Sequence, residues 1–296
     1  MEAKKELQWT DGLVPPGWYQ NLSNDFYHRV SKGWSSSWVK KMHEESPAKV
    51  KYLRENPEKP NAAMRLGTAV HSLVMEPDYF DRDNYIVRSS YWKAVDEARQ
   101  EYPDKNVITE DQFKAGEKMA ANVLSHPYLK HLFSDGIAES SIYQWYDGID
   151  PYDYTQYREM IKVRPDFIPR GYPILMDLKT AADASHSGFI DAICHWSYDL
   201  SAAMYMHTAN HCKELLEHQG IAAFTNFIFV VAESSPPYQV AWYEMRPEWM
   251  EHGLKLFERG MYKIHQAKKN NWPPYNVERQ WLEMPAYRQR MKIVDM

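Results

Sequence analysis

The sequence predicts an α/β fold, a central mixed sheet flanked by helices and preceded by a helical region. Three observations predict it. Phe224 to Glu233 is a near-continuous apolar run, as in a strand buried on both faces. Ile161 to Ile168 and Ile174 to Thr180 alternate apolar and polar residues at the strand period. A long helical stretch from about Ser187 to His218 separates these alternating segments from the apolar strand.

Residues 1–30 carry Pro15, Pro16 and Gly17 and read as an irregular lead-in. Residues 31–60 read as two helical pieces parted near Ser46-Pro47, with Ser36 or Ser37 capping the first; Asn56-Pro57 and Lys59-Pro60 end the pattern. Residues 62–76 form a clearer helix, with Met64, Ala69, Leu73 and Val74 at helical spacing and Pro77 closing it. Residues 91–133 read as helices around a break at Pro103, one of them opened by Asp111. The aromatic stretch Ser140 to Tyr146 is β-prone. The turn Pro169-Arg170-Gly171-Tyr172-Pro173 joins the two alternating segments into an expected hairpin. After the apolar strand, Pro236-Pro237 leads to a further strand, Tyr238 to Met245, and then to an amphipathic helix from Pro247 to about Asn270. The expected organisation is a lead-in (1–30), a helical region (31–135), an α/β core (136–270) and a polar, aromatic tail (271–296).

The composition is that of a folded globular protein, 44% hydrophobic and 25% charged. The formal net charge of -5 counts mildly against a nucleic-acid partner, although a local positive channel is enough for an enzyme whose metal ligands are themselves acidic. Cys194 and Cys212 form no C-x-x-C pair, so cysteine offers no zinc or iron–sulfur framework, and reduced thiols point to the cytoplasm. MEAKKELQWT lacks the apolar region of a secretory signal, and Phe227 to Ala232 is the longest apolar run, so no membrane association is expected. There is no phosphate-binding G-x-x-x-x-G-K-[ST], no G-x-S-x-G and no H-E-x-x-H.

The chemistry concentrates at Asp177-Leu178-Lys179. Residues i and i+2 of a strand share a face, so the carboxylate and the ammonium point at one spot. A carboxylate can hold a hard divalent cation, and a lysine can orient water or stabilise charge on a phosphate. Alone, the triplet also fits a surface ion pair. Asp166 on the preceding strand adds a second carboxylate, and the two would repel unless a cation or the lysine lay between them. Lys162 and Arg164 share the face of Asp166 and are placed to meet phosphates, or to form a solvated strand face.

Asp166, the turn and Asp177-Leu178-Lys179 resemble the signature of the PD-(D/E)XK nucleases. The surrounding sequence resembles the RecE-type (exonuclease VIII-like) phage exonucleases in RLGTAVHSLVMEPDYF (65–80), KVRPDFIP (162–169), LMDLKTAADAS (175–185), YDLSAAMY (198–205) and FIFVVAESSPPYQVAWY (227–243). The resemblance covers about residues 30–260. It implies that Asp166 and Asp177 bind Mg²⁺, or Mn²⁺, that the Leu178 backbone carbonyl is a third ligand, and that Lys179 positions the attacking water. It also implies that His71 approaches the metal and that Glu139 supports it. Tyr198, Ser201 and Tyr205 share one helix face expected to address DNA; Ser201 stands where the family carries glutamine, a shorter side chain than that role calls for. Glu233 reads either as a supporting acid or as a strand-end charge. The implied activity is 5′→3′ digestion of one strand of linear double-stranded DNA, leaving 3′ single strands for recombination. The implied partners are DNA ends, a single-strand annealing protein and further copies of the chain in a ring. The alternatives are a RecB-like or endonucleolytic enzyme of the same superfamily, and an inactive DNA-binding phage protein.

Overall fold

Phe227, Phe229 and Val231 point to one side of their strand and Ile228, Val230 and Ala232 to the other, and all six are buried. Such a strand needs helices on both of its faces and strands at both of its edges. The computed structural model, which describes residues 8–77, 85–89, 91–102, 105–275 and 282–284, provides both. In chain order the strands are β1 (Gly17–Tyr19), β2 (Tyr85–Arg88), β3 (Asn106–Thr109), β4 (Gly136–Ala138), β5 (Ser141–Ile149), β6 (Gln156–Val163), β7 (Phe167–Pro169), β8 (Ile174–Ala181), β9 (Asn226–Glu233) and β10 (Val240–Glu244). The helices are α1 (Ser36–Glu44), α2 (Pro47–Glu55), α3 (Ala62–Met75), α4 (Trp92–Glu101), α5 (Glu110–Ser125), α6 (Leu129–Leu132), α7 (His186–Trp196), α8 (Tyr198–Asn210), α9 (Lys213–Gln219) and α10 (Pro247–Lys269).

The main sheet has the order β10-β9-β8-β7-β4. Only β8 and β9 pair in parallel; the other pairs are antiparallel, so the sheet is mixed, as expected. One face carries Leu175, Phe227, Phe229 and Val231 against Phe189, Ile193, Leu200 and Met204 of α7 and α8 and Phe257 of α10. The other carries Met176, Leu178, Ile228 and Val230 against Val70, Val74, Met119 and Val123 of α3 and α5. A second sheet, β1-β5-β6, stands beside it, and a small parallel pair, β2-β3, packs near α3 and α5.

The structure departs from the sequence reading in five places. Ile161 to Ile168 is not one strand. Pro165 cannot donate to a ladder, and the chain passes there from β6 in one sheet to β7 in the other. The long helix is three helices. Ser197 adopts the left-handed conformation (φ 47°, ψ 51°), which ends α7 and starts α8, and α9 follows a break at His211-Cys212. The lead-in contributes β1, paired with β5, and a π-helical turn, Phe26–Val30. The region after Pro103 contains β3, whose Thr109 and Gln112 form a capping box that opens α5 ahead of Asp111. Ser35, rather than Ser36 or Ser37, precedes α1.

Candidate active site

The site lies where β8 loses β7 as a neighbour. The β7–β8 ladder pairs Phe167 with Met176, and Leu178 lies beyond it. Side chains take over its backbone groups. The Leu178 N–H donates to Asp166 Oδ2 (2.7 Å), and the Leu178 carbonyl meets His71 Nε2 (2.8 Å). A carbonyl can only accept, so Nε2 carries the proton and Nδ1 is turned toward the two carboxylates. Nδ1 lies 3.6 Å from Asp166 Oδ2 and 3.7 Å from Glu139 Oε1.

Glu139 arrives by the same logic. β4 and β7 pair as far as Ala138 and Phe167, and the Glu139 N–H adds one more rung to the Asp166 carbonyl (3.0 Å). Glu139 has φ +48°, a conformation that side chains other than glycine adopt at a cost of about 1 kcal/mol, and such strain collects at functional positions. One ligand atom each from His71, Glu139 and Asp166 lie within 4.8 Å of one another.

Asp177 and Lys179 follow Leu175 on the α8 face of β8. Asp177 is buried, and the Lys179 ammonium forms an ion pair with its Oδ2, an atom that receives no directed hydrogen bond. Burial raises the pKa of Asp166 to about 8, the Asp177 and Glu139 charges adding to the rise and His71 and Lys179 opposing it. Burial would lower His71, but Asp166 and Glu139 outweigh it and hold the imidazole at about 9. Burial likewise opposes the Lys179 charge, yet Asp177 and Asp166 push its pKa above the ordinary range, so the ammonium persists. Asp166, buried with a raised proton affinity beside the Asp177 and Glu139 carboxylates, marks a site short of positive charge.

That shortage and a donor set of one imidazole and two carboxylates fit a divalent cation of the Mg²⁺ or Mn²⁺ type. The Leu178 carbonyl, expected as a ligand, serves here as the acceptor that orients His71.

Lys162 and Arg164 do not form a phosphate-facing surface. Both are buried by the lead-in, which folds over their face of β6. The Lys162 ammonium donates to the Tyr27 carbonyl and to the Ser31 carbonyl (2.8 Å) and hydroxyl (3.1 Å). Arg164 donates to Ser141 Oγ, Asn24 Oδ1 and the Leu22 carbonyl at 2.7–2.9 Å. With their donors taken by the protein, they pin the lead-in and do not face phosphates. Glu233 is a strand-end structural group that accepts from the Ala184 N–H (3.1 Å).

On α8, the Tyr198 ring lies 5.4 Å from the Lys179 ammonium. Tyr205 lies within electrostatic reach of Asp177 and Asp166 and shares a hydrogen bond with Ser36; burial and Asp177 raise its pKa well above that of an ordinary phenol. Ser201 is buried between them in sequence, at 8% exposure, which leaves a longer amide little room. One neighbour escaped the sequence reading. The Lys40 ammonium, on α1, lies 5.0 Å from the Tyr198 ring centre. Its pKa falls to about 8, through burial first and the Lys179 charge second. Its place on a helix far away in sequence gave no sign of this.

Residues 35–280 match the profile of a PDDEXK-like domain of unknown function, DUF3799. The chain belongs to this family. Among solved structures it is similar to a Eubacterium rectale protein named "Putative exonuclease", with a TM-score of 0.55 at 15% identity, covering 94% of this chain and 96% of that one. That likeness is one of fold. A second structure, of SSO0001, is 16% identical over 65% of this chain and 83% of that one, with a TM-score of 0.27, too low to carry an argument. No curated protein matches the chain. The family assignment supports the expected PD-(D/E)XK core, and the DUF3799 match reaches from α1 past α10 into the tail.

Proposed function

We propose that this DUF3799 protein is a divalent-metal-dependent DNA nuclease, and within that class an exonuclease of the RecE type. The observation that carries the reading is the convergence of His71, Glu139 and Asp166 beside the Asp177–Lys179 pair. His71 Nδ1 and the Glu139 and Asp166 carboxylates would hold Mg²⁺ or Mn²⁺, with Asp177 adding negative charge alongside. When bound, the cation supplies Lewis-acid stabilisation of the phosphate and the leaving oxygen. Lys179 keeps its proton, so its part is to orient water and to stabilise phosphate charge by donation, not to remove a proton. His71 is held in register by the Leu178 carbonyl, and Asp166 by the Leu178 N–H. Tyr198 and Tyr205 present the α8 side of the site to the DNA, with Ser201 packed behind them.

The reading extends to 5′→3′ digestion of linear duplex in the cytoplasm of a bacterial host of the phage. Its products would be 3′ single strands passed to an annealing protein, made by a ring of copies around the DNA. The test compares linear duplex labelled at either 5′ or 3′ ends with a covalently closed circle, in Mg²⁺ and in EDTA. The 5′ label should leave first as short products, only with Mg²⁺, and the circle should stay intact. Cutting of the circle would replace the exonuclease with an endonuclease, and binding without cleavage of any substrate would mark a DNA-binding protein.

A further inference from the structure

Among the described residues, Lys40 is a half-buried cation without a counterion. Its ammonium and that of Lys179 both approach the Tyr198 ring, at 5.0 and 5.4 Å from its centre. The Lys179 ammonium is matched by Asp177. Among the described residues, no carboxylate stands within ion-pair distance of Lys40. The nearest candidates are otherwise engaged: Asp199 is buried and bonded to His252 Nδ1 at 2.6 Å, and Asp177 faces Lys179. Glu44, one turn along α1, acts on Lys40 only from a distance. An ammonium drawn partly out of water costs free energy unless an anion meets it.

The position of Lys40 is set by packing, not by chance reach. α1 is wedged between α8 and α10, with Val39 and Met42 in the main core. At Gly260 of α10 an added Cβ would come within 2.4 Å of Val39 Cγ1, so the helices touch closely there. Lys263 Nζ of α10 donates to the Met42 carbonyl (3.1 Å). α1 is therefore anchored on both sides of Lys40 while the ammonium itself is left to the site.

We infer that Lys40 is a substrate-binding residue of this site, receiving the DNA phosphate next to the scissile one while Lys179 serves the scissile phosphate. The inference rests on the nuclease reading above. A phosphate is the anion that fits: it is delivered by the substrate, it carries a full charge, and it recurs along the strand beside the one undergoing cleavage.

The experiment uses the full chain with Lys40→Met, which keeps the aliphatic stem and removes the charge, and Lys40→Arg, which restores it. Binding of a short duplex is followed by fluorescence anisotropy with Ca²⁺ in place of Mg²⁺, over a series of salt concentrations. Lys40→Met should weaken binding several-fold and lower the slope of log affinity against log salt by about 0.9, the loss of one phosphate contact. Lys40→Arg should return the slope to that of the wild type. In cleavage assays Lys40→Met should raise KM more than it lowers kcat. An unchanged slope in Lys40→Met, or an arginine that does not restore it, overturns the inference and leaves the nuclease reading standing. Wild-type protein that neither binds nor cuts DNA removes that reading and this inference with it. If Lys40→Met does not fold, Lys40→Gln gives the same slope comparison, and failure of both neutral variants to fold beside a stable Lys40→Arg with wild-type slope would mark the charge as structural and overturn the inference.

Discussion

Arg164→Met separates a structural arginine from a DNA-contacting one. In the fold, the guanidinium is buried and donates to Ser141 Oγ (2.7 and 2.9 Å), Asn24 Oδ1 (2.7 Å) and the Leu22 carbonyl (2.9 Å), and it lies 4.3 Å from the Tyr27 ring centre. Methionine fills much of the volume but donates nothing. The Leu22 carbonyl and the Ser141 hydroxyl, both in buried residues, would then lose their partner. Hydrogen bonds to charged groups contribute about 1.5–3 kcal/mol, and each stranded buried polar group costs about 1–3 kcal/mol; since these overlap, the net loss should be about 2–5 kcal/mol. For a chain of this size that lowers the melting temperature by about 5–15 °C. Differential scanning calorimetry measures it, and the salt dependence of DNA binding, taken well below the melting range, should keep its wild-type slope. A variant that melts like the wild type but loses about one unit of salt slope would refute the structural role and return Arg164 to the DNA.

Three further perturbations test other parts of the account. Gly253→Ala would place a Cβ 2.1 Å from the Asp199 carbonyl oxygen, so α10 must move off α8; a loss of about 2–3 kcal/mol by denaturant titration is expected, and wild-type stability would contradict the close crossing. His207, held to a pKa of about 4 by burial first and His211 second, binds fewer protons folded than unfolded between pH 6.5 and 4, so stability should fall as pH drops through that window. His207→Gln should flatten that part of the stability curve, and an unchanged slope would show that the histidine does not contribute. His71→Ala should lower activity more with Mn²⁺ than with Mg²⁺, because imidazole suits the softer ion; equal losses would leave His71 only its bond to Leu178.

Where local pattern and tertiary packing agree, the sequence is a good guide. The apolar run of β9 and the amphipathic pattern of α10 lie within a residue or two of their expected bounds. The shared face of Asp177 and Lys179 follows from strand geometry alone, and the structure pairs them. The misplacements have physical causes. Alternation placed Lys162 and Arg164 on a polar face correctly, but nothing local told that face apart from solvent, because what covers it is a segment more than a hundred residues earlier. The break at Ser197 has no glycine, proline or asparagine to announce it. Lys40 reaches the site only through the packing of α1 on α8 and α10, which no spacing along the chain encodes. Glu139 and His71 converge with Asp166 through the loss of one ladder partner for Leu178, and that is a property of the assembled sheet.

The most direct test of the central claim compares the wild type with Asp166→Asn for metal binding and DNA cleavage together. Asparagine Oδ1 can still accept from the Leu178 N–H, so the β8 connection is kept and only the charge is lost. Calorimetric titration with Mn²⁺ and cleavage of end-labelled linear duplex are measured on both proteins, beside a thermal melt. The account predicts that the wild type binds Mn²⁺ and shortens DNA only when metal is present, and that Asp166→Asn folds but loses both properties. A folded Asp166→Asn that still binds the ion and cleaves at the wild-type rate would contradict the assignment of His71, Glu139 and Asp166 as the metal centre of a nuclease.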